Sequence, residues 1–532
     1  MSTASARLRA SVAVILAAIL SGLCVLRTAE SAFDVVESAE AYKYVSAWRD
    51  IAGLFPFERI ALLCGDHDEI SPVERSRLIA LSWEHGRLPP HAVDVNGLAE
   101  GMDDCVITAL NVARTDCAAL ADAGFSPCVS NDFALAWHHG DCKTEQCYQL
   151  RIRPAAIREA GSLLLIFLLL LACWRCVADD SAGHCWRWTG VCAMALFIFL
   201  GALSVLHPLT APNGLGTYGG KAKLIFESGC VPVDFLKAPE YSFLQPAYPP
   251  GFTLLALAHF VLSGAVGDRL VQLLLPATIV IVFLEMTKRC IGWRPVLPIM
   301  MYLCLPVVLG LVTGFYAEPF AALALLTGWN TMQSRRCLRG ALAMGCAALF
   351  RPEGIFVAGA FFCGLALQFH CRRAAWKMAI AVLAPGAAWW MLCLLGGGGI
   401  QGFDFSRLPN VALMFKATLC EAKFVAFNVL PVVCIVLLTR KSAGALAGRS
   451  LFAAAWPFAA LLILIPFACG LHSSPYGRWM VESTVPRLVW WTSIVPICEF
   501  IKIAYNEDLA SIAITPVHKP AIPILWYNSR RE

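Results

Sequence analysis

The chain has 532 residues, of which 58% are hydrophobic and 15% charged, against about 45–50% and 25% in soluble domains. That balance predicts an integral membrane protein and excludes an ordinary soluble enzyme. A net charge of +5 over this length, with no soluble face to concentrate it, leaves no case for nucleic acid as a partner.

Many of the 23 cysteines lie inside apolar runs, among them Cys173, Cys304, Cys346, Cys363 and Cys434, and read as small buried hydrophobes. Ser11 to Leu26 is an unbroken apolar run of about one membrane crossing. Arg7 and Arg9 precede it and put the N-terminus in the cytoplasm. Residues 1–28 therefore read as an anchor. A signal peptide is the competing reading, with Ala29-Glu30-Ser31 as a small-x-small cleavage site. On both readings the next segment lies outside the cytoplasm.

Residues 29–158 are charged, with short strand-like runs at Arg59 to Cys64, Leu78 to Trp83, Cys105 to Leu110 and Tyr148 to Ile152. Helical stretches such as Glu37 to Ala52 and Asp116 to Ala123 fall between them. The alternation predicts a small extracytoplasmic α/β domain. Its six cysteines (Cys64, Cys105, Cys117, Cys128, Cys142, Cys147) permit disulfides in an oxidising compartment, with no pairing readable. The cluster Asp66-His67-Asp68-Glu69 invites a metal or catalytic reading, but reads first as a solvated loop after a strand, turned by Ser71-Pro72. His138-His139 with Asp141-Cys142 lacks the spaced partner pair of a zinc site. The domain reads as one that recognises or covers something.

Residues 159–190 hold the second span, Gly161 to Ala178, and a short cytoplasmic segment marked by Arg175 and Arg187. Val191 to Leu206 is the third span. An outer loop over residues 207–251 follows, polar and rich in Gly and Pro. Phe252 to Val266 is short for a crossing. If it crossed, Lys288, Arg289, Arg294, Arg335, Arg336, Arg339, Arg372 and Arg373 would all lie outside, against the positive-inside rule. It is therefore read as a helix in the outer interface, or one that dips in and back. Leu270 to Met286 then crosses inward and Val296 to Val312 outward. Phe320 to Met332, Ala341 to Phe350, Ile355 to Phe369 and Met378 to Leu395 alternate in turn. A second outer loop runs from Gly396 to Lys423. Val425 to Leu438 and Leu451 to Cys469 follow, then a third outer loop, Gly470 to Arg487. Leu488 to Ile503 returns to a cytoplasmic tail over residues 504–532. The fold class is a polytopic α-helical membrane protein of about 11–12 spans.

Polar residues converge on the outer face. The long loop supplies Lys221, Lys223, Glu227, Asp234, Glu240 and Tyr248; the turns supply Glu318, Arg351 and Glu353; the late loop supplies Arg478 and Arg487. Each alone also reads as a headgroup-level anchor. Together, ionisable groups beside a membrane line a cavity or pair with one another. Arginine holds phosphate bidentately, and a carboxylate takes the proton of an incoming hydroxyl. Such a set suits a substrate with a phosphate head and a lipid tail.

Lys221-Ala222-Lys223 followed by Gly229 and Tyr248-Pro249-Pro250-Gly251 resembles the first outer loop of GT-C glycosyltransferases. Tyr316-Ala317-Glu318-Pro319 and Arg351-Pro352-Glu353-Gly354 also resemble that superfamily, and the likeness covers Val191 to about Ile503. It implies a GT-C-like transmembrane domain over residues 191–503. The implied reaction takes a sugar from a polyprenyl- or dolichyl-phosphate donor to a glycan, lipid or protein acceptor, on the periplasmic face of a bacterial inner membrane or in the endoplasmic reticulum lumen. Lys221, Lys223, Tyr248, Glu318, Arg351, Glu353, Arg478 and Arg487 are the substrate-binding candidates. The superfamily includes metal-dependent and metal-independent members, so a divalent metal stays open, and no clear ligand set for one stands in the chain.

The superfamily places an Asp early in this loop as base, where this chain has Pro212-Asn213-Gly214. Asp234 is the first replacement and Glu227 the second; Asp66 or Asp68 could reach in from the N-terminal domain. Two other function classes stand beside the enzyme. A transporter of lipid-linked substrates predicts inverted repeats, and none is evident. A non-catalytic binding or structural subunit accommodates the missing Asp. No P-loop is present to drive transport with ATP.

Overall fold

The computed structural model describes residues 60–63, 91–93, 105–109, 114–130, 134–139, 185–206, 213–232, 235–237, 244–264, 266–267, 270–288, 295–334, 336–368, 372–397, 453–458, 460 and 487–502. Five strands of the first segment form one mixed sheet. They are β1 Ile60–Leu63, β2 His91–Val93, β3 Cys105–Ala109, β4 Phe125–Ser130 and β5 Ala134–His139, in the order β2-β1-β3-β5-β4. β1 runs parallel to β2 and β3, while β5 is antiparallel to β3 and β4. Helix α1, Arg114–Asp122, joins β3 to β4. Pro127 sits in β4, an edge strand whose register shifts beside it; proline cannot donate to a ladder and is tolerated at such places.

The strands read at Arg59 to Cys64 and Cys105 to Leu110 coincide with β1 and β3. Strands β2, β4 and β5 have no counterpart in the sequence reading. The stretches Glu37 to Ala52, Leu78 to Trp83 and Tyr148 to Ile152, with Asp66 to Glu69, lie outside the described residues. His138 and His139 lie within β5, and Cys128 carries a free thiol.

The remaining described residues are almost all helical. Among the described residues, three helices are long and apolar enough to cross a membrane: Thr189–Leu206, Leu270–Thr287 and Ala375–Leu395. They belong to α2 (Cys185–Leu206), to a 3-10 turn Leu270–Leu273 continued by α5 (Leu274–Thr287), and to α11 (Arg372–Leu395). The Leu270–Thr287 segment is buried along most of its length and forms the centre of the bundle. α2 and α11 leave Val191, Ile198, Ile380 and Met391 exposed.

The span read as Val296 to Val312 is two helices, α6 Val296–Leu303 and α7 Pro306–Thr313, bent by 54°. Pro306 cannot continue α6, and it drives Leu305 to extended backbone (ψ 147°). Shorter helices complete the bundle: α8 Glu318–Gln333, α9 Cys337–Gly345 with a 3-10 turn Cys346–Leu349, α10 Gly354–Gln368, and α12 over residues 487–502. The expected spans before residue 185, and those beginning at Val425 and Leu451, fall wholly or mostly outside the described residues.

Side-chain pairs fix helix direction. Arg487 meets Glu318 at the start of α12 and α8; Trp329 donates to Glu499, and Lys502 to Asn330, near their ends. The two helices are therefore parallel. Asn330 Nδ2 also reaches Glu285 Oε2 in the last turn of α5, so α5 runs the same way. Ser204, near the end of α2, donates to the Gln272 carbonyl at the start of α5, so α2 is antiparallel to it. One end of the bundle is thus the Glu318 end and the other the Lys502 end.

Helix α4, Gly251–Ser263, is about 20 Å long, shorter than a bilayer core of about 30 Å. Phe252 packs on Phe315 and Phe320, and the chain reaches Leu270 soon after Ser263. Both ends of α4 thus stay at the Glu318 end. Gly251–Ser263 is not among the helices long enough to cross.

Candidate functional site

The long outer stretch departs from its reading as a loop. Asn213–Gly220 is a π-helix that runs directly into α3, Lys221–Ser228. Gly and Pro masked helical structure that packing imposes here, and Lys221, Ala222, Lys223 and Leu224 are buried. π-Helical turns occur often at functional sites. Burial puts Lys221 to work locally: Nζ donates to the carbonyl oxygens of Gln245 and Tyr248, at 3.1 and 3.0 Å. Thr217 Oγ1 donates to Gln245 Oε1 at 3.0 Å, and Trp389 of α11 donates Nε1 to the Ala247 carbonyl at 3.0 Å. Residues 244–250 are thereby strapped to three elements.

Glu318 is the centre of the site. It stands in the first turn of α8 beside Pro319, where a negative side chain and proline are both favourable. It is 0% exposed. Its Oε1 receives Arg487 Nη1 at 2.9 Å and Arg351 Nη1 at 3.2 Å. Arg351 also holds Glu353 Oε1, through Nη2 at 2.6 Å and Nε at 2.7 Å. The guanidinium of Arg351 lies 5.5 Å from the Tyr248 ring centre and that of Arg487 lies 4.1 Å from Tyr316, both within cation–π range. Lys221 Nζ lies 5.9 Å from the Tyr248 ring on its own account. Tyr218, Phe252, Phe315, Phe320 and Phe350 form an aromatic floor, with successive ring centres 4.4–5.3 Å apart.

Close backbone approach sets Arg351 in place. A side chain at Gly251 would bring its Cβ to 2.6 Å from the Leu349 carbonyl, and one at Gly354 to 2.5 Å from that of Ala347. Only glycine lets α4 and α10 start against the turn that carries Arg351. Among the described residues, Gln245 and Phe315 are the non-glycine residues with left-handed backbone, at φ 52° and 56°. One sits in the strap and the other three residues before Glu318. Strain of this kind concentrates at functional sites.

Burial governs the electrostatics outside the spans. It pushes the Tyr218 hydroxyl up to about 12 and the Tyr248 hydroxyl well above its ordinary value, with Arg351 opposing in each case. Both phenols stay neutral. Burial works against the charge on Arg351, but Glu318 and Glu353 outweigh it and hold the guanidinium firmly protonated. Burial also raises the Glu227 carboxyl, against the pull of Lys223.

Lys221, Tyr248, Glu318, Arg351, Glu353 and Arg487, all candidates from the sequence, share this site. Lys223 and Glu227 are set apart: they face each other along α3 at 3.8 Å. Lys223 lies two residues from Lys221, about 200° around the helix. Asp234, Glu240 and Arg478 lie outside the described residues. The reading missed Tyr218, Gln245, Tyr316 as a stacking partner, and Trp389. Tyr316 stood in a quoted motif, while Trp389 carries no local signal. Two carboxylates and two arginines cancel formally in the cluster, and Lys221 adds a further cation beside it. Among the described residues no group of three or more His, Cys, Asp or Glu side chains can hold a metal ion. Comparison with protein-family models, with curated proteins and with solved structures finds no match for this chain.

Proposed function

We propose that this chain is an integral membrane glycosyltransferase of GT-C type, which moves a sugar from a polyprenyl-phosphate donor to an acceptor on the non-cytoplasmic face. One observation carries the reading. The four short motifs on which the resemblance rests are far apart in sequence, yet Lys221, Tyr248, Glu318 and Arg351 meet through direct contacts. Motifs matched by chance along a helical bundle have no reason to converge.

In this reading the donor phosphate lies near Lys221 and Arg351, with its lipid tail against α4. A carboxylate takes the proton of the acceptor hydroxyl, the oxygen attacks the anomeric carbon, and the bond from that carbon to the phosphate oxygen breaks. The phosphate leaves with its charge facing the cations, which are prearranged for it. Asp234 and Glu227 remain the candidate bases. Residues 29–158 would stand on the same side of the membrane and cover the site. A second reading has its own support: Asn213 opens the π-helix where the superfamily places its Asp, and an amide takes no proton. On that reading the chain binds the lipid-linked substrate without turning it over.

The test is transfer or donor hydrolysis by the purified chain in liposomes, with labelled polyprenyl-phosphate sugars. Wild type is compared with Asp234→Asn and Glu227→Gln. Turnover lost in one variant names the base. Saturable binding without turnover supports the second reading, and the absence of both sinks the proposal.

A further inference from the structure

The end of the bundle away from Glu318 carries cations that the site does not use. Gly340 lies against Met332 near the end of α8, Gly345 against the Val382 carbonyl, and Gly386 against Ala348 and Ile355. Helices α9 and α11 therefore run side by side in the same direction, both starting at the Lys502 end. The same offset brings Ala341 level with Met378, both buried, and Arg339 level with Trp376 and Lys377. Arg339, Trp376 and Lys377 are exposed, and α11 opens on Arg372-Arg373. Lys377 Nζ lies 5.5 Å from the Trp376 ring centre. Among the described residues the carboxylates at this end of the bundle are Glu285 and Glu499, engaged by Asn330 and Lys502, so neither balances Arg339 or Lys377.

Helical spacing sets what lies beneath these cations. At about 3.6 residues per turn, Leu338 and Leu342 stand on one side of Ala341, and Lys377 and Ala381 on the matching side of Met378. Leu338 and Leu342 are exposed, and Ala381 is short. The surface along this seam is thus apolar beneath a basic rim, with Trp376 at the boundary, where indole rings favour the membrane interface. A polar partner would leave the leucines in water, and an acyl chain alone would leave the cations unanswered. An anionic phospholipid answers both, with its headgroup on the cations and its tail along the leucines.

We propose that the seam between α9 and α11 binds one anionic phospholipid of the leaflet at the Lys502 end, with its phosphate between Arg339 and Lys377 and an acyl chain along Leu338 and Leu342. The site is separate from the Glu318 cluster and does not depend on sugar transfer there. Both helices lead toward that cluster: α9 through its 3-10 turn to Arg351, and α11 through Trp389 to the Ala247 carbonyl.

The test titrates the full chain in nonionic detergent with dioleoyl phosphatidylglycerol and dioleoyl phosphatidylcholine, and counts bound lipid by native mass spectrometry. Wild type is expected to take the first phosphatidylglycerol about tenfold or more tighter than phosphatidylcholine, with each of the two cations worth about fivefold. Arg339→Gln and Lys377→Gln change exposed side chains and leave the packed core alone; each loses about fivefold on phosphatidylglycerol and stays within about twofold on phosphatidylcholine. Lys288→Gln, at the same end on α5 but off the seam, stays within about twofold on both lipids. Dihexanoyl phosphatidylglycerol has the same headgroup with little apolar surface to bury, and binds about tenfold or more weaker than the dioleoyl lipid. A wild type that does not discriminate between the headgroups, an equal loss in Lys288→Gln, or equal affinity for short and long chains overturns the inference.

Discussion

Glu318→Gln removes the carboxylate that two guanidinium groups share, and it is expected to be the most destabilising single change at the site. The contacts are 2.9 and 3.2 Å, between side chains no more than 8% exposed. At an effective dielectric constant of about 20, each contact carries about 5–6 kcal/mol of Coulomb attraction, much of it offset by desolvation. Removing one partner of a buried pair costs about 3–5 kcal/mol. Glu318→Gln belongs at the top of that range, because Arg487 loses this carboxylate while Arg351 keeps Glu353. Arg487→Met costs about half as much, because Glu318 retains Arg351 on the same oxygen. The double variant removes both charges, and its loss falls short of the sum by about 1–3 kcal/mol. Reversible unfolding in mixed micelles, followed by tryptophan fluorescence at all four corners of the cycle, gives these values. Additive losses, or equal losses for the two single variants, would refute the claim that these charges act as one buried unit.

Four further outcomes follow. With Glu227 as base, transfer falls as pH drops through its raised value, so the acid limb of the rate profile lies above the ordinary carboxylate value of about 4.3; Glu227→Gln abolishes rate and limb together. The same shift makes the folded chain gain stability as pH falls through that value, since the unfolded chain keeps its proton less well; a pH series of melting curves checks the sign. Lys502→Met breaks contacts of 2.8 and 2.9 Å to Asn330 and Glu499 and costs about 3–5 kcal/mol, yet lipid-phosphate binding stays within twofold, because the change lies at the far end of the bundle. Gly251→Ala forces a Cβ against the Leu349 carbonyl, costs about 1–3 kcal/mol, and weakens undecaprenyl phosphate binding by moving Tyr248 relative to Arg351.

The parts legible in the sequence are those set by local pattern. The segments around Val191, Leu270 and Met378 announce themselves by unbroken apolar length. The short run after Phe252, read with the basic clusters beyond it, gives away a helix that returns to its own end of the bundle. Glu318, Arg351 and Arg487 stood out as charges beside apolar runs, but their pairing is long-range: Glu318 and Arg487 are 169 residues apart, and no local signal joins them. Leu305-Pro306 broke a span whose hydropathy alone looks continuous. Asn213–Gly220 has a loop's composition and becomes helical because the bundle end packs it. Trp389 reads as one more apolar residue of a span, and only the fold shows its N–H turned onto the Ala247 carbonyl.

Two networks hold α8 and α12 together, one at each end. Glu318 and Arg487 join them at the site; Trp329, Asn330, Glu499 and Lys502 join them at the far end. An axial slide of one helix past the other would break both networks at once, at several kcal/mol for each buried charge left uncompensated. The half of the site built on these helices is therefore the costlier half to displace. The strap over residues 244–250 is held differently: Lys221 donates to the Gln245 and Tyr248 carbonyls, and Trp389 and Cys393 donate to that of Ala247, each bond worth about 1 kcal/mol net, somewhat more from the charged lysine. One of its residues, Gln245, already carries left-handed backbone strain. Adjustment to a substrate falls to the element that costs least to move. On the proposed reading that element is the strap, which would carry Tyr248 toward or away from Arg351 while Glu318 keeps both arginines.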